Sequence, residues 1–496
     1  MKRIFNIYSI KMPKIILFYK YLVILILISS FQLNAAKNNN NKNEIIKSNS
    51  SNIEDLDAIY SLAKHNDQTL QAAIATYHAI LFNLPISISE ILPQINLDGQ
   101  WTKTTTILSD NINNSNNINN NVANNNLSTP NFNSLFVGGT NKQRIKEYDL
   151  TLDQVLFNLE NFVDIFQAKS QMLQAFFNLE TARQDLITRV VTNYFKIKSE
   201  EQNLILLVAE KKAVAKQLEQ AQERFKVGVS AKTDVDTAQA RYDSIVTEKI
   251  SAENSLENSK DELSIITNKK TENLADLTKS NLKLFNPLDY KVWVKKAIEK
   301  NPNLHSQKIE TNIQSQNVTK KFSGHFPTLD YSAEKSRNNT LTIIKNRPDP
   351  DIITKTLSHT ITLDLPILAG GNTVFSTKQA KYNYDASNNN FELALRTIIT
   401  NTKISYRACI TKYKEIQSQK VAVTSAESSY QSTLAGFEVG TRNIVNVLDS
   451  ISELYRQKRI LATNRYEYLV NITILKQNSG SLEDKDILEI NKLLEY

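Results

Sequence analysis

Phe225-Lys-Val-Gly-Val-Ser-Ala-Lys-Thr-Asp-Val-Asp236 has an echo at Phe437-Glu-Val-Gly-Thr-Arg-Asn-Ile-Val-Asn-Val-Leu-Asp449. The echo extends outward from these turns. Ile91-Leu-Pro-Gln-Ile-Asn-Leu-Asp98 answers His325-Phe-Pro-Thr-Leu-Asp-Tyr-Ser332, and Leu150-Thr-Leu-Asp153 answers Ile361-Thr-Leu-Asp364. The chain is written twice in one order: helix, strand, loop, strand, long helix, Val-Gly turn, helix. Two halves of roughly 200 residues are unlike the many short units of a solenoid.

The helical stretches at 159–226 and 372–438 are free of proline and carry helical periodicity. Each would extend ~100 Å at 1.5 Å per residue. Their flanking stretches, 54–90 with 231–268 and 290–324 with 442–479, are about half as long, so two laid end to end match one long helix. The clearest apolar stripe is Ile444, Val447, Leu448, Ile451, Leu454, Tyr455, Leu461, Tyr468, Leu469, Ile472 and Leu475, a three-four spacing suited to coiled-coil pairing.

Strands are expected at about 94–104, 146–156, 328–336 and 358–367. Ile95, Leu97 and Trp101 oppose Asn96, Asp98, Gln100 and Thr102, while Tyr148, Leu150 and Leu152 oppose Asp149, Thr151 and Asp153. Leu329, Tyr331 and Ala333 oppose Asp330, Ser332 and Glu334; Ile361, Leu363, Leu365 and Ile367 oppose Thr360, Thr362 and Asp364. Such alternation suits a membrane barrel, apolar outward and polar toward a lumen. It suits a half-buried soluble sheet equally.

The N-terminus bears on that choice. Lys2, Arg3, Lys11 and Lys14 precede the apolar run Tyr21–Ser30, and Ala35-Ala36 follow. That is the order of a signal peptide over 1–36, with an uncleaved anchor as its rival. No later stretch is expected to reach the ~18 apolar residues of a spanning helix. A mature chain that enters a membrane must then do so with strands, which favours the barrel. Four strands cannot close one, because known barrels start at about eight. Open edges are not tolerated in lipid, so several copies must pool their strands.

Composition narrows the function. The net charge is +8, but Lys and Glu are scattered, which argues against nucleic acid as a partner. The five histidines lie far apart without metal-ligand spacing, and no GxSxG, Walker or paired-carboxylate motif occurs, so no cofactor, metal site or catalysis is expected. Gly138-Gly139 and Gly370-Gly371 read as turn glycines. Cys409 is the single cysteine and cannot form an internal disulfide. Residues 37–53 form a polar segment, and 109–126 are mostly Asn, too polar to fold alone, and are placed in an outer loop. A second loop is expected at 338–356 with the turn Arg347-Pro-Asp-Pro350. The stretch 269–289 and the tail 480–496 are expected to form an irregular equatorial collar.

The two Val-Gly turns resemble the periplasmic turns of the TolC family. The resemblance continues through Arg465-Tyr-Glu-Tyr-Leu-Val-Asn-Ile-Thr-Ile-Leu-Lys476, Gly324-His-Phe-Pro-Thr-Leu-Asp330 and Leu365-Pro-Ile-Leu-Ala-Gly-Gly371, in order from about Asp55 to Glu489. It implies an α+β membrane protein: a homotrimer with a twelve-stranded transmembrane β-barrel, four strands per protomer, continued by a long α-helical coiled-coil tunnel across the periplasm. It further implies a passive outer-membrane exit duct for drugs or secreted proteins. The partners would be outer-membrane lipid, a periplasmic adaptor protein, and an inner-membrane pump or ABC transporter. A periplasmic adaptor or a structural coiled-coil envelope protein is the alternative; neither requires an integral barrel.

The same resemblance assigns sites. Val227, Gly228, Val229, Val439, Gly440 and Thr441 match the docking sites for adaptor hairpins. Arg442 matches an arginine that bridges inner and outer coiled coils, with Thr233 and Asp234 as counterparts. Phe437 stands where the family often has tyrosine, so one latch hydroxyl is missing. Asp449 matches one aperture aspartate, but Asn446 is neutral where a second often stands. On physical grounds the glycines suit left-handed helix ends, and Ser230 and Thr441 offer hydroxyls to cap the following helices.

Overall fold

A computed structural model describes residues 54–108, 139–277, 282–344, 347–348 and 350–495. The leader 1–36, the polar segment 37–53 and the Asn-rich stretch 109–126 lie outside the described residues, as do parts of the 347–350 turn. Helices α1 (Leu56–Asn66), α2 (Gln68–Leu81) and α3 (Asn83–Ser89) lead into strands β1 (Gln94–Leu108) and β2 (Gly139–Phe157). The long helix α4 (Leu159–Lys226) and its return α5 (Lys232–Thr267) follow, then β3 (Asp276–Leu277). The second half runs α6 (Tyr290–Lys300), α7 (Pro302–Phe322), β4 (Thr328–Ile344), β5 (Arg347–Pro348), β6 (Ile352–Asp364), α8 (Asn372–Glu438) and α9 (Ile444–Asn478). The chain closes with α10 (Asp484–Asn491) and β7 (Leu494–Glu495).

Two stretches expected as single helices are broken. In 54–90, Asp67 leaves the helical region (φ −68°, ψ 111°), and its carboxylate accepts from the Leu70 amide to start α2. Arg189 of α4 then holds that carboxylate at 2.8 and 3.0 Å. In 290–324, Asn301 is extended because Pro302 follows, and its side chain caps α7 through the Leu304 amide. The stretch Gln68–Ser89 is, by length and composition, apolar enough to cross a membrane, contrary to expectation. Here it is broken at Phe82, and α2 and α3 pack along α4.

The strands exceed their expected bounds at the ends away from the helices. Most of the expected loop 338–356 is strand, because the alternation of β4 continues through Asn338-Asn-Thr-Leu-Thr-Ile-Ile344, paired with β2. At the other end β6 stops at Asp364, so Leu365 and Ile367 are not strand residues; Pro366 has no amide to donate to a ladder. The order is β1-β2-β4-β6, antiparallel throughout, with β5 a short extra rung on β4. Both β1 and β6 are open edges.

Along Arg144–Leu150 the even residues Arg144, Lys146, Tyr148 and Leu150 are exposed, while the odd ones between them are half-buried. The sheet therefore curls, with Ile145, Glu147 and Asp149 inside and the apolar face of Ile95, Leu97, Trp101, Leu150, Ile361 and Leu363 outside.

The largest core cluster lies midway along the helices, around Leu186, Val190, Tyr194 and Phe195 of α4 with Tyr466, Tyr468 and Leu469 of α9. The described parts of the expected collar, 269–277 and 282–289, are irregular apart from β3 and pack against this cluster. Tyr194 donates to the Ala275 carbonyl at 2.8 Å, Tyr466 to Asp276 at 2.8 Å and Tyr468 to the Lys283 carbonyl at 2.9 Å. The tail supplies α10 and pairs β7 with β3. A second cluster sits toward the turns: Val214, Ala221, Ala238, Ile245, Phe437, Ile444, Val447, Leu448 and Ile451.

Candidate functional site at the helix tips

Both long helices end in the same way. The Gly228 amide donates to Phe225 O and the Val229 amide to Arg224 O; the Gly440 amide donates to Phe437 O and the Thr441 amide to Gly436 O. This paired pattern is a Schellman ending, which needs a left-handed residue where each glycine stands. Gly228 has φ +76° and Gly440 φ +81°. The flanking side chains are left in solvent: Val227, Val229 and Val439 are 72 %, 73 % and 76 % exposed. Valines this exposed on two adjoining turns form an apolar surface that no described residue covers.

The expected caps are placed differently. Helix α5 begins after Ala231 with no side-chain cap, and the Ser230 hydroxyl donates to Asp234 at 2.7 Å. Helix α9 is capped by Asn443, whose side chain accepts from the Asn446 amide at 3.0 Å. Thr441 instead turns back and donates to Gly436 O at 2.9 Å. Both helices start later than Ser230 and Thr441 would require: Thr441 belongs to the Schellman ending, and the Ser230 hydroxyl is spent on Asp234.

Arg442 and Asp234 do not meet within the protomer. The Asp234 carboxylate is taken by Ser230, and among the described residues Arg442 makes no ion pair. The stem of Arg442 lies over Gly436, where a Cβ would stand 2.9 Å from its Cγ. Thr233 is exposed and Asp234 half-buried beside it. Phe437 is buried, and the guanidinium of Arg224 sits 4.4 Å from its ring centroid. This cation–π contact joins the end of α4 to the end of α8. Gly436 and Arg224 were not singled out from the sequence. The only hint was that Gly436 is a glycine inside a helix, where the residue is unfavourable without a packing reason.

Above the turn, Asn446 and Asp449 both lie exposed on α9, three residues apart and so on one face. Val447, Leu448 and Ile451 point the other way into the tip cluster. Deeper still, about 24 Å above the α4 end at 1.5 Å per residue, Glu210 is fully buried. It accepts from Arg459 of α9 at 2.6 Å and from Arg241 of α5 at 3.4 Å. Arg241 also donates to Ser452. One carboxylate thus ties α4 to helices of both hairpins. No group of His, Cys, Asp or Glu among the described residues could hold a metal ion.

This arrangement, paired tips with exposed valines and an open sheet at the far end, has known relatives. The family model described as outer membrane efflux protein matches residues 59–269 and 293–481, one segment in each half. The chain is 32 % identical to the outer membrane protein TolC of Vibrio cholerae over 440 residues, covering 88 % of this chain and 93 % of that protein. It is 24 % identical to the alkaline protease secretion protein AprF of Pseudomonas aeruginosa, covering 69 % of this chain and 72 % of AprF. In fold it is similar to the CmeC outer membrane channel of Campylobacter jejuni, with a TM-score of 0.71, 19 % identity, and coverage of 89 % and 90 %. With both halves matched and a relative this similar over nearly its whole length, the chain belongs to the outer membrane efflux protein family.

Proposed function

We propose that this chain forms the exit duct of an efflux pump or type I secretion system as a homotrimer, its strands pooled in one twelve-stranded barrel. The observation that supports pooling of strands is the sheet itself, polar inside and apolar outside, with β1 and β6 both open; the number three follows the family resemblance. An open edge in hydrocarbon leaves backbone groups unsatisfied, and pairing β6 of one copy with β1 of the next removes every edge. The helices then continue the pipe on the periplasmic side. The signal peptide would be removed near Ala36. Cargo, drug or protein, would enter from an inner-membrane pump or ABC transporter through a periplasmic adaptor. The exposed valines at 227, 229 and 439 suit that adaptor's docking. The duct is passive and needs no cofactor.

The closed end is held by contacts between helix tips of neighbouring protomers. Arg442, which makes no ion pair among the described residues, reaches Thr233 and Asp234 across the ring, and Asp449 with Asn446 lines the aperture. An exposed Arg–Asp contact contributes only about 1 kcal/mol, so a ring of them can hold a door without locking it. Single-channel conductance in planar bilayers tests both parts, with Arg442→Ser beside the wild type. Small steps that grow in the variant support duct and latch. Equal steps keep the duct and remove Arg442 from its gate. A folded preparation without channel activity would favour a periplasmic adaptor.

A further inference from the structure

The charged residues of β1, β2, β4 and β6 are sorted by face without exception. Lys103, Lys142, Arg144, Lys146, Lys335, Arg337 and Lys355 share the outer face with Ile95, Leu97 and Trp101. Asp98, Glu147, Asp149, Asp153, Asp330, Glu334 and Asp364 all lie on the inner one. An aqueous lumen explains the inner carboxylates. It does not explain cations on the face that meets lipid, where a charge is costly at the bilayer midplane and nearly free at the interface.

Their positions along the strands resolve this. Next to the helices the outer face is apolar, with Ile95, Leu97, Leu150, Leu152, Leu329, Ile361 and Leu363. The cations follow at seven or more residues from the helix end of each strand, roughly 23 Å or more at 3.3 Å per residue, with Lys335 at the boundary, opposite Leu150 and Leu357. Trp101 pairs across from Lys146, and Tyr148 pairs across from Arg337. Aromatic side chains at such a boundary mark the membrane–water interface.

Within the patch, like charges stand directly opposite one another: Lys103 faces Arg144, and Arg337 faces Lys355. Direct opposition of like charges destabilises a sheet. Lys103, Arg144, Lys146, Lys335, Arg337 and Lys355 are exposed, and none of the seven makes an ion pair among the described residues. Every carboxylate within the four strands projects from the other face. Among the described residues nothing neutralises these cations, and the anions available at that level, far from the helices, are the lipid headgroups.

We propose that this outer-face patch binds the phosphate-bearing headgroups of outer-leaflet lipids, anchoring and levelling the barrel in the membrane. The proposal rests on the barrel reading above. It is tested on the purified channel in phosphatidylcholine nanodiscs carrying diphosphorylated lipid A or its dephosphorylated form, with bound lipid read by native mass spectrometry. The wild type should retain the diphosphorylated lipid at least about tenfold better, in line with the attraction of clustered Lys and Arg to anionic lipid. The variant Lys103→Gln/Arg144→Gln/Lys146→Gln/Arg337→Gln should lose that preference. A control replacing helix residues Lys212, Lys216, Lys232 and Lys403 by Gln should keep it. Channel steps in every preparation establish the folded barrel, so their absence counts against the duct and not against the patch. An unchanged preference in the face variant overturns the proposal, as does displacement by millimolar inorganic phosphate, which would mean a free-phosphate site.

Discussion

Replacing Glu210 by Gln should cost more stability than any surface charge change in the helical body. The carboxylate is completely buried, while its partners Arg459 and Arg241 keep 21 % and 34 % of their side chains exposed. Removing one member of a buried ion pair typically costs about 3–5 kcal/mol, because the other is left charged and unpaired. Here water reaches both guanidinium groups, and the Gln carbonyl can still accept from Arg459. The expected loss is therefore about 2–3 kcal/mol. Denaturant unfolding of the detergent-solubilised protein, followed by far-ultraviolet circular dichroism, measures it. Glu210 also ties α5 to α9, so the variant should show larger conductance steps as the hairpins loosen. A loss under about 0.5 kcal/mol, the usual scale for surface changes, would refute the view that this carboxylate clamps the hairpins.

Asp449→Asn should abolish a modest preference for cations in reversal-potential measurements. At the proposed aperture one carboxylate per protomer would set the charge, since Asn446 is neutral. Strong selectivity that survives the substitution would remove Asp449 from that role. Cys409 is fully buried in the equatorial core, and burial pushes its thiol up to about 12. A raised acid stabilises the fold in full below its ordinary value of 9.0 and loses that contribution as pH climbs toward about 12. Tyr468 shifts the same way, raised to about 12 by burial against a smaller opposing effect of the Phe285 amide. Maleimide should leave Cys409 unmodified in the native protein at pH 8, and unfolding midpoints should fall between pH 9 and 12. Rapid native labelling would contradict the buried assignment.

How much of this was legible beforehand depended on how local the cause was. The long helices could be read because nothing in 159–226 or 372–438 interrupts their period, and Asn158 caps α4 from the adjoining residue. The strands could be read from alternation alone, but their ends could not, since Asn338-Asn-Thr resembles a loop until β2 is there to pair with it. The break at Asn301 had a signal in the following Pro302. The break at Asp67 had little, because it is completed by Arg189 more than a hundred residues away. Glu210 was invisible for the same reason: a Glu on an amphipathic helix reads as surface until Arg241 and Arg459 close over it. Arg442 was recognisable only through its motif, and its contact with Gly436 depends on the Schellman geometry. The sorting of charge in β2, where Lys142, Arg144 and Lys146 alternate with uncharged or acidic residues, lay in plain view. It acquired meaning once the register fixed one face as the outer one.

The distribution of contacts explains why the moving part of such a duct should be its tip. At the equator, three buried tyrosines, the paired β3 and β7, and the Asn491 side chain accepting from the Leu56 amide knit distant segments together. Each of these contacts joins pieces of chain far apart in sequence, so none can be lost without disturbing several helices. At the tips the situation reverses. The turns are closed by local hydrogen bonds within five residues, the valines face solvent, and Phe437 under Arg224 is the buried aromatic of a cluster whose other rings, Tyr242, Tyr430 and Tyr455, are only partly buried. Opening of the proposed duct would therefore leave each turn intact, with the tip cluster of Val214, Ala238, Phe437 and Val447 moving as one unit. On the proposed trimer, that difference would confine opening to the tips, where the polar contacts proposed between protomers would decide between shut and open.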